Sequence, residues 1–498
     1  MRKKTVFMFL LGIMFLGLIL RLYNLNFPSI GYQKIYPQVP LVSYQILTAW
    51  QVFGENLWGP RLVNVVFGIF SIIVAYQIAY LLFCDAIAAV LCSFVLAVTP
   101  VAAFFSRNLQ PESPALFWLL LGSMFYLKYV IKFKAYDLLW GGFCFFLSWL
   151  YKGSFIIGLV PLAFCLPFQR SFKDSSKFLK DVALLLMPYL MFIATILWFK
   201  RTGQWGFQEL DRVKILEIFT PGYWRQYGGI IWWYIYQENF TLLFTVTTIG
   251  GLIVLFSKGL NLAVRYAAGW IFAAVIYGMV FSDYINQHNY YQIPFILFVS
   301  LSSGYFLAYL LKKSQAFLKN DLSFVYAGSI LCISLLVIYP PLMRMHSRVF
   351  LGQDIAGESL KEFTRSGERV FLFTHCQGYG VARYAHRYAG WPAGLEDFKD
   401  KQKFFNIRYV CIYPASYLWV LRKESPEVAA YLVSCYHIKE LGFLGQPFKL
   451  AYFIFERGKG QGDIDNFLDH LSGQMQVRTN YSLPEGKFSL CTMRFNSS

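Results

Sequence analysis

The chain has 498 residues, of which 57% are hydrophobic, 19% aromatic and only 14% charged. A soluble domain of that length needs far more polar surface, so the composition excludes an ordinary water-soluble protein. The formal net charge of +18 does not indicate nucleic acid. Its Lys and Arg clusters fall in alternate loops between apolar runs, the positive-inside pattern of a polytopic membrane protein.

In chain order, "MRKK" precedes the first apolar run, and no small-residue cleavage site follows it, so a retained signal anchor is expected with Met1 inside. Further spans are expected near Leu62 to Phe83, Ala86 to Phe105, Ala115 to Ile131, Leu138 to Leu150, Phe155 to Phe168 and Val182 to Phe199. Others follow near Phe240 to Phe256, Ala267 to Phe281, Ile293 to Leu311 and Ser323 to Tyr339. The total is about eleven, and odd parity then places everything after Pro340 outside. Between the first two spans, Ile46, Leu47, Trp50 and Phe53 share a helical face opposite Gln45, Thr48 and Gln51, which predicts an amphipathic helix in the interface. The stretch Arg201 to Gly229 reads as a long outer loop.

Past "YPPLMRMH" the composition changes. "RVFLF" at Arg369 to Phe373, "RYVCIY" at Arg408 to Tyr413 and "AYFIFE" at Ala451 to Glu456 read as buried strands. "SPEVAAYLVSCY" reads as a helix with Ser425 as N-cap and Pro426 in its first turn. Residues 1–340 are therefore expected to form a transmembrane domain and 341–498 a small α/β domain outside the membrane. The "GYG" at Gly378 to Gly380 is read as a strand-to-helix turn rather than a dinucleotide fingerprint. The cysteines form no CxxC pair, and the histidines of the second domain lack compact ligand spacing. No cofactor is expected, and a divalent-metal requirement is not readable from these residues.

Acids are scarce in the membrane half. Glu55 and Arg61 lie at the mouth of the second span in "FGENLWGPRL", and Arg107 and Glu112 lie where the chain re-enters the membrane in "SRNLQPESPALFWLLL". Charges at such positions normally have partners, so local ion pairing stands beside a functional reading. Lys152 at the turn "YKGSF" reads either as a phosphate contact or as a snorkelling anchor. His288, the membrane half's sole histidine, occurs with Tyr290 and Tyr291 in "HNYYQIP", where an interfacial aromatic belt explains the tyrosines better than the histidine.

Together "FGENLWGPRLVNVVFG", "SRNLQPESPALFWLLL", "YKGSFIIGLVPL" and "HNYYQIPF" resemble the GT-C class of integral-membrane glycosyltransferases, in particular bacterial relatives of the aminoarabinose lipid A transferases and protein O-mannosyltransferases. The resemblance covers roughly the first 310 residues. It implies a GT-C-like helical bundle in a bacterial inner membrane. It also implies transfer of a sugar from a polyprenyl-phosphate donor to a lipid, glycan or protein acceptor at the outer face, with membrane lipids and no nucleic acid as further partners. Phosphate leaves readily, so such a site needs cations for the returning charge and a carboxylate to take the acceptor proton. The resemblance gives the phosphate role to Lys152, His288, Tyr290, Tyr291, Arg61 and Arg107, and the carboxylate role to Glu112 or Glu55.

One feature departs from the family. Its members carry an acidic pair in the first outer loop, whereas here "FPSIGYQKIYPQVP" has Gln33, Lys34 and Gln38, and neutral Gln cannot act as a base. Three explanations stand: a segment missing near Tyr32, Glu112 or Glu55 serving alone, or an already ionised acceptor that needs no base. Losing a positioned base slows transfer by about 10²- to 10⁴-fold, so an impaired enzyme is one expectation. The rival readings are a lipid-linked glycan flippase and a non-catalytic relative that binds a lipid-linked sugar.

Overall fold

A computed structural model describes residues 3–23, 25, 41–166, 175–202, 216–317, 320–347, 349–374, 379–445 and 449–495. The first outer loop, with Gln33, Lys34 and Gln38, lies outside the described residues, as do His375, Cys376 and Gly378.

Two compact units divide the chain at Met345/His346. In the first, every apolar segment expected to span contains helix among its described residues, from Lys3–Leu22 through Asn320–His346. Among the described residues, however, only seven helices are long and apolar enough to cross a bilayer, or eight if the bent pair Pro221–Asn239 and Thr241–Phe256 counts as one span. The expected eleven therefore falls to seven or eight on that measure, because several segments are broken. Ala86–Val98 stops at Thr99, and Pro100 opens a separate helix, Pro100–Phe105, since proline cannot donate to the preceding turn. Ala135–Tyr151 stops at Lys152, and a 3₁₀ turn, Gly153–Leu159, follows it.

The stretch expected as an amphipathic interfacial helix forms the helix Leu41–Phe53, with Leu47 and Phe53 exposed and Gln45 donating to Asn64 Oδ1 at 2.7 Å. One further expectation is corrected. In the stretch read as an outer loop, Glu217–Phe219 is a 3₁₀ turn and Pro221–Trp233 is a helix, with Thr220 accepting from the Tyr223 N–H as its cap and Pro221 in the first turn.

Close helix contacts hold the first unit. A Cβ on Gly251 would collide with the Ser302 carbonyl, and one on Gly304 with the Cys92 backbone. The helix Ile296–Phe317 thus lies directly against Thr241–Phe256 on one side and Ala86–Val98 on the other. Buried hydroxyls join the first of these contacts, Thr247 Oγ1 meeting Ser303 Oγ at 3.0 Å and Thr248 Oγ1 meeting it at 2.9 Å. Small residues and interhelical hydroxyl bonds are how helices associate where lipid supplies no hydrophobic drive.

The second unit carries a seven-stranded mixed sheet. Its strands are β1 (Arg369–Phe373), β2 (Tyr388–Gly390), β3 (Tyr409–Ile412), β4 (Tyr436–Leu444), β5 (Lys449–Arg457), β6 (Gln476–Leu483) and β7 (Gly486–Arg494), in the order β2-β1-β3-β5-β4-β7-β6. β1 pairs parallel with β2 and β3, and the other pairings are antiparallel. β1, β3 and β5 are apolar on both faces because they lie inside the sheet, with Phe371, Val410, Phe453 and Phe455 in its core. The helix Pro426–Cys435 begins at Pro426, although Ser425 makes no side-chain capping bond.

Candidate active site

In the first unit, Glu112 opens the helix Glu112–Lys132, where the unpaired N–H groups of the first turn favour a carboxylate. Lys152 follows the last residue of Ala135–Tyr151 and has extended backbone, with φ −151° and ψ 109°. The two helices lie side by side, and Ser148 Oγ donates to the Ala115 carbonyl at 2.8 Å. The end of one is thereby set against the start of the other. Lys152 Nζ comes 3.3 Å from Glu112 Oε1, with the two side chains 2% and 0% exposed. An ion pair so deeply buried stabilises little by itself, because desolvating both charges offsets their attraction.

The third component comes from "HNYYQIP". His288 has φ −136° and ψ 116° and precedes another 3₁₀ turn, Asn289–Phe295, which leads into Ile296–Phe317. Its ring stacks on Tyr290 with centroids 5.0 Å apart. Lys152 Nζ lies 4.6 Å from the centre of the Tyr291 ring and 5.2 Å from that of Tyr290. Aromatic faces at that range attract an ammonium while leaving its N–H donors able to serve an anion. Lys152, Glu112, His288, Tyr290 and Tyr291, from three separate stretches of sequence, therefore meet.

The arginines are buried nearby in sequence. Arg61, in the first turn of Trp58–Phe83, is fully buried and donates from Nη1 to the Leu25 carbonyl at 2.6 Å. Arg107 is 2% exposed, in the turn between Pro100–Phe105 and Glu112. Glu55 lies on the exposed turn between Leu41–Phe53 and Trp58–Phe83.

Three buried residues escaped the sequence reading. Arg21, fully buried, donates to Ser106 Oγ at 2.7 Å and to the Gly17 and Ala97 carbonyls. It shares with Glu112 a cavity of about 10 Å³, the size of one water molecule. Asn64 donates to the carbonyls of Asn108 and Gln110 and so clamps the turn that carries Arg107. Glu238, in the π-helical turn Tyr234–Asn239, accepts from Trp233 Nε1 at 3.0 Å and from Asn289 Nδ2 at 3.1 Å, beside His288. A π-turn is itself a frequent mark of a functional site.

A family model described as dolichyl-phosphate-mannose-protein mannosyltransferase matches residues 37–198. No curated protein matches the chain. Among solved structures, the apo oligosaccharyltransferase of Archaeoglobus fulgidus superposes with a TM-score of 0.54 at 13% identity, over 93% of this chain and 75% of that one. The oligosaccharyltransferase AglB from Archaeoglobus fulgidus, in complex with an inhibitory peptide and a dolichol-phosphate, gives 0.54 at 14% identity over the same shares. ArnT from Cupriavidus metallidurans bound to undecaprenyl phosphate gives 0.53 at 12% identity, over 91% of this chain and 98% of that one. The resemblance drawn from loop and helix-end motifs is thus matched by a likeness along nearly the whole chain, and the protein has the GT-C fold of integral-membrane glycosyltransferases.

Proposed function

We propose that this protein transfers a sugar from a polyprenyl-phosphate donor to an acceptor at the outer face of a bacterial inner membrane. The observation that carries the reading is the buried Lys152–Glu112 pair roofed by Tyr290 and Tyr291. Solved structures of the same fold supply the ligand class, since AglB is described with a dolichol-phosphate and ArnT with undecaprenyl phosphate.

In this reading the donor phosphate competes with Glu112 for the Lys152 ammonium. Before binding, the lysine is neutralised by the carboxylate. As the glycosidic C–O bond breaks, charge returns to the phosphate, and Lys152 with Arg107 and Arg61 stabilises it. Release of Lys152 frees the Glu112 carboxylate to accept the acceptor's proton as the new bond to the anomeric carbon forms. His288, held against Tyr290, donates a further hydrogen bond to the phosphate. Glu112 thereby takes the role that family members give to an acid in the first outer loop.

The test is turnover of a radiolabelled polyprenyl-phosphate sugar by purified protein in nanodiscs. Wild type is expected to release or transfer label, Glu112→Gln to lose about 10²- to 10⁴-fold in kcat, and Lys152→Ala to lose donor affinity as well. Donor binding without turnover in wild type would mark a non-catalytic sugar binder. Movement of intact donor between leaflets would mark a flippase.

A further inference from the structure

The turn between Arg107 and Glu112 holds two buried amides that the proposed chemistry does not use. Asn108 is 1% and Gln110 0% exposed, and Asn108 Nδ2 and Oδ1 and Gln110 Nε2 and Oε1 all lack a hydrogen-bond partner. Buried side-chain amides are nearly always satisfied, so an unmet pair on one turn indicates groups held ready for a ligand.

The turn cannot easily relieve itself by swinging these side chains out to water. Asn64 Nδ2 donates to both the Asn108 and the Gln110 carbonyl. Asn64 is itself fixed, accepting at Oδ1 from Gln45 Nε2 and at its carbonyl from Ser113 Oγ at 2.9 Å. The backbone of both amide residues is thus clamped, four and two residues before the carboxylate of Glu112.

The chemistry of the unmet atoms narrows the ligand. Each amide offers one donor group and one acceptor oxygen. A phosphate carries acceptors only and would face an amide oxygen with like polarity, and an isoprenoid tail would leave all four atoms unmet. A hydroxyl both donates and accepts, and two amides two residues apart suit two hydroxyls on one ring. The surrounding charge narrows it further. Arg21, Arg61, Arg107 and Lys152 are all buried in this unit, four cations against the three buried carboxylates of Glu112, Glu238 and Asp137, so a cationic amino sugar would meet an excess of positive charge.

We propose that Asn108 and Gln110 are specificity-determining residues that hydrogen-bond hydroxyls of a neutral sugar on the donor. The proposal rests on the reading of the site as one for a lipid-phosphate-linked sugar.

The experiment measures binding of three probes to the full chain in nanodiscs: bare polyprenyl phosphate, polyprenyl-phosphate mannose and a polyprenyl-phosphate amino-pentose. Wild type is expected to bind the mannosyl lipid about 10-fold or more tighter than the bare lipid, and the amino-pentosyl lipid no tighter than the bare one. Asn108→Leu and Gln110→Met are each expected to weaken the mannosyl lipid by about 10- to 100-fold and the bare lipid by no more than about 2-fold. Ligand-free Gln110→Met should melt no lower than wild type, since the apolar side chain removes an unmet polar group; an amide with a structural role would melt lower. Equal losses for both lipids, sugar discrimination retained in both variants, or a preference for the amino sugar would overturn the assignment. If wild type fails to bind even bare polyprenyl phosphate, the lipid-phosphate reading falls and takes this inference with it.

Discussion

Lys152 and Glu112 are separated by two helices in sequence yet lie 3.3 Å apart, each almost wholly buried. Removing one member of such a pair leaves an uncompensated buried charge. Lys152→Met and Glu112→Leu are each expected to destabilise the protein by about 3 to 5 kcal/mol, whereas the double variant should come within about 1 kcal/mol of wild type. Thermal melts in nanodiscs check this, and simple additivity of the two losses would show that the charges do not interact. Both residues were legible because a charge in an apolar chain stands out, and the aromatic cluster of "HNYYQIP" advertised His288 in the same way. Glu238 was not. It is one of several outer acids in the sequence, and only folding brings it to Trp233 and Asn289. Arg21 was hidden for a related reason: at the end of an apolar run it reads as a boundary marker, and its partners Ser106 and Ala97 are far along the chain.

The elements that carry the site depend on how closely helices approach. Ile296–Phe317 extends the His288 turn, and its position is set by the absence of a side chain at Gly304, where a Cβ would strike the Cys92 backbone. Gly304→Ala is therefore expected to cost about 1 to 3 kcal/mol through overpacking. Gly328 lies within Asn320–His346 with nothing near its Cβ position, so Gly328→Ala should be neutral or stabilising by up to about 1 kcal/mol. Equal melting shifts for the two would contradict the packing account. Apolar run length revealed where helices lie but not where they break. Pro100 accounts for one interruption, although the expected span Ala86 to Phe105 ran through it, whereas the breaks at Lys152 and His288 are extended backbone at residues with no intrinsic bar to helix. Tertiary contacts decide those, and it is at those breaks that the proposed phosphate ligands stand. The strands were more legible, since β1, β3 and β5 carry the unbroken apolar runs Val370–Phe373, Tyr409–Ile412 and Leu450–Phe455, rich in aromatic and β-branched residues. The antiparallel half of the sheet was less so, because β6 buries only Tyr481 and carries little apolar pattern.

At the scale of the whole molecule, the two units respond differently to solvent. In the second, Glu456 is 3% exposed and meets Lys439 at 3.0 Å, Arg408 and the Tyr409 hydroxyl. Burial pushes its carboxyl up, but the hydrogen bond and charge of Lys439, with Tyr409 and Arg408, outweigh it and hold the group below the usual glutamate value of 4.5. Glu362 is held low in the same way by Arg478 and Arg494 against its own burial. A carboxyl held low in the folded state stabilises fully above its unfolded value and loses that contribution as pH falls through the folded one. Asp354, pushed up chiefly by burial, opposes this by favouring the protonated fold as pH falls. Glu358 is likewise pushed up chiefly by burial, and Asp397 is held low by its bond from Lys401; with three carboxyls low against two high, hydrogen-exchange protection of β5 in the full chain is expected to fall as pH drops below about 4.5. Glu456→Gln should flatten that acid limb, and an unchanged limb would show that the cluster does not link protonation to stability.

In the proposed function, Lys152 of the membrane unit exchanges the Glu112 carboxylate for a lipid phosphate. Equilibrium binding of undecaprenyl phosphate to wild type and Lys152→Ala in nanodiscs, read by native mass spectrometry, tests this most directly. One lipid bound to wild type with affinity at least about 10-fold weaker in the variant is the predicted result, in keeping with loss of a charge-assisted contact. Equal binding to both proteins would contradict it.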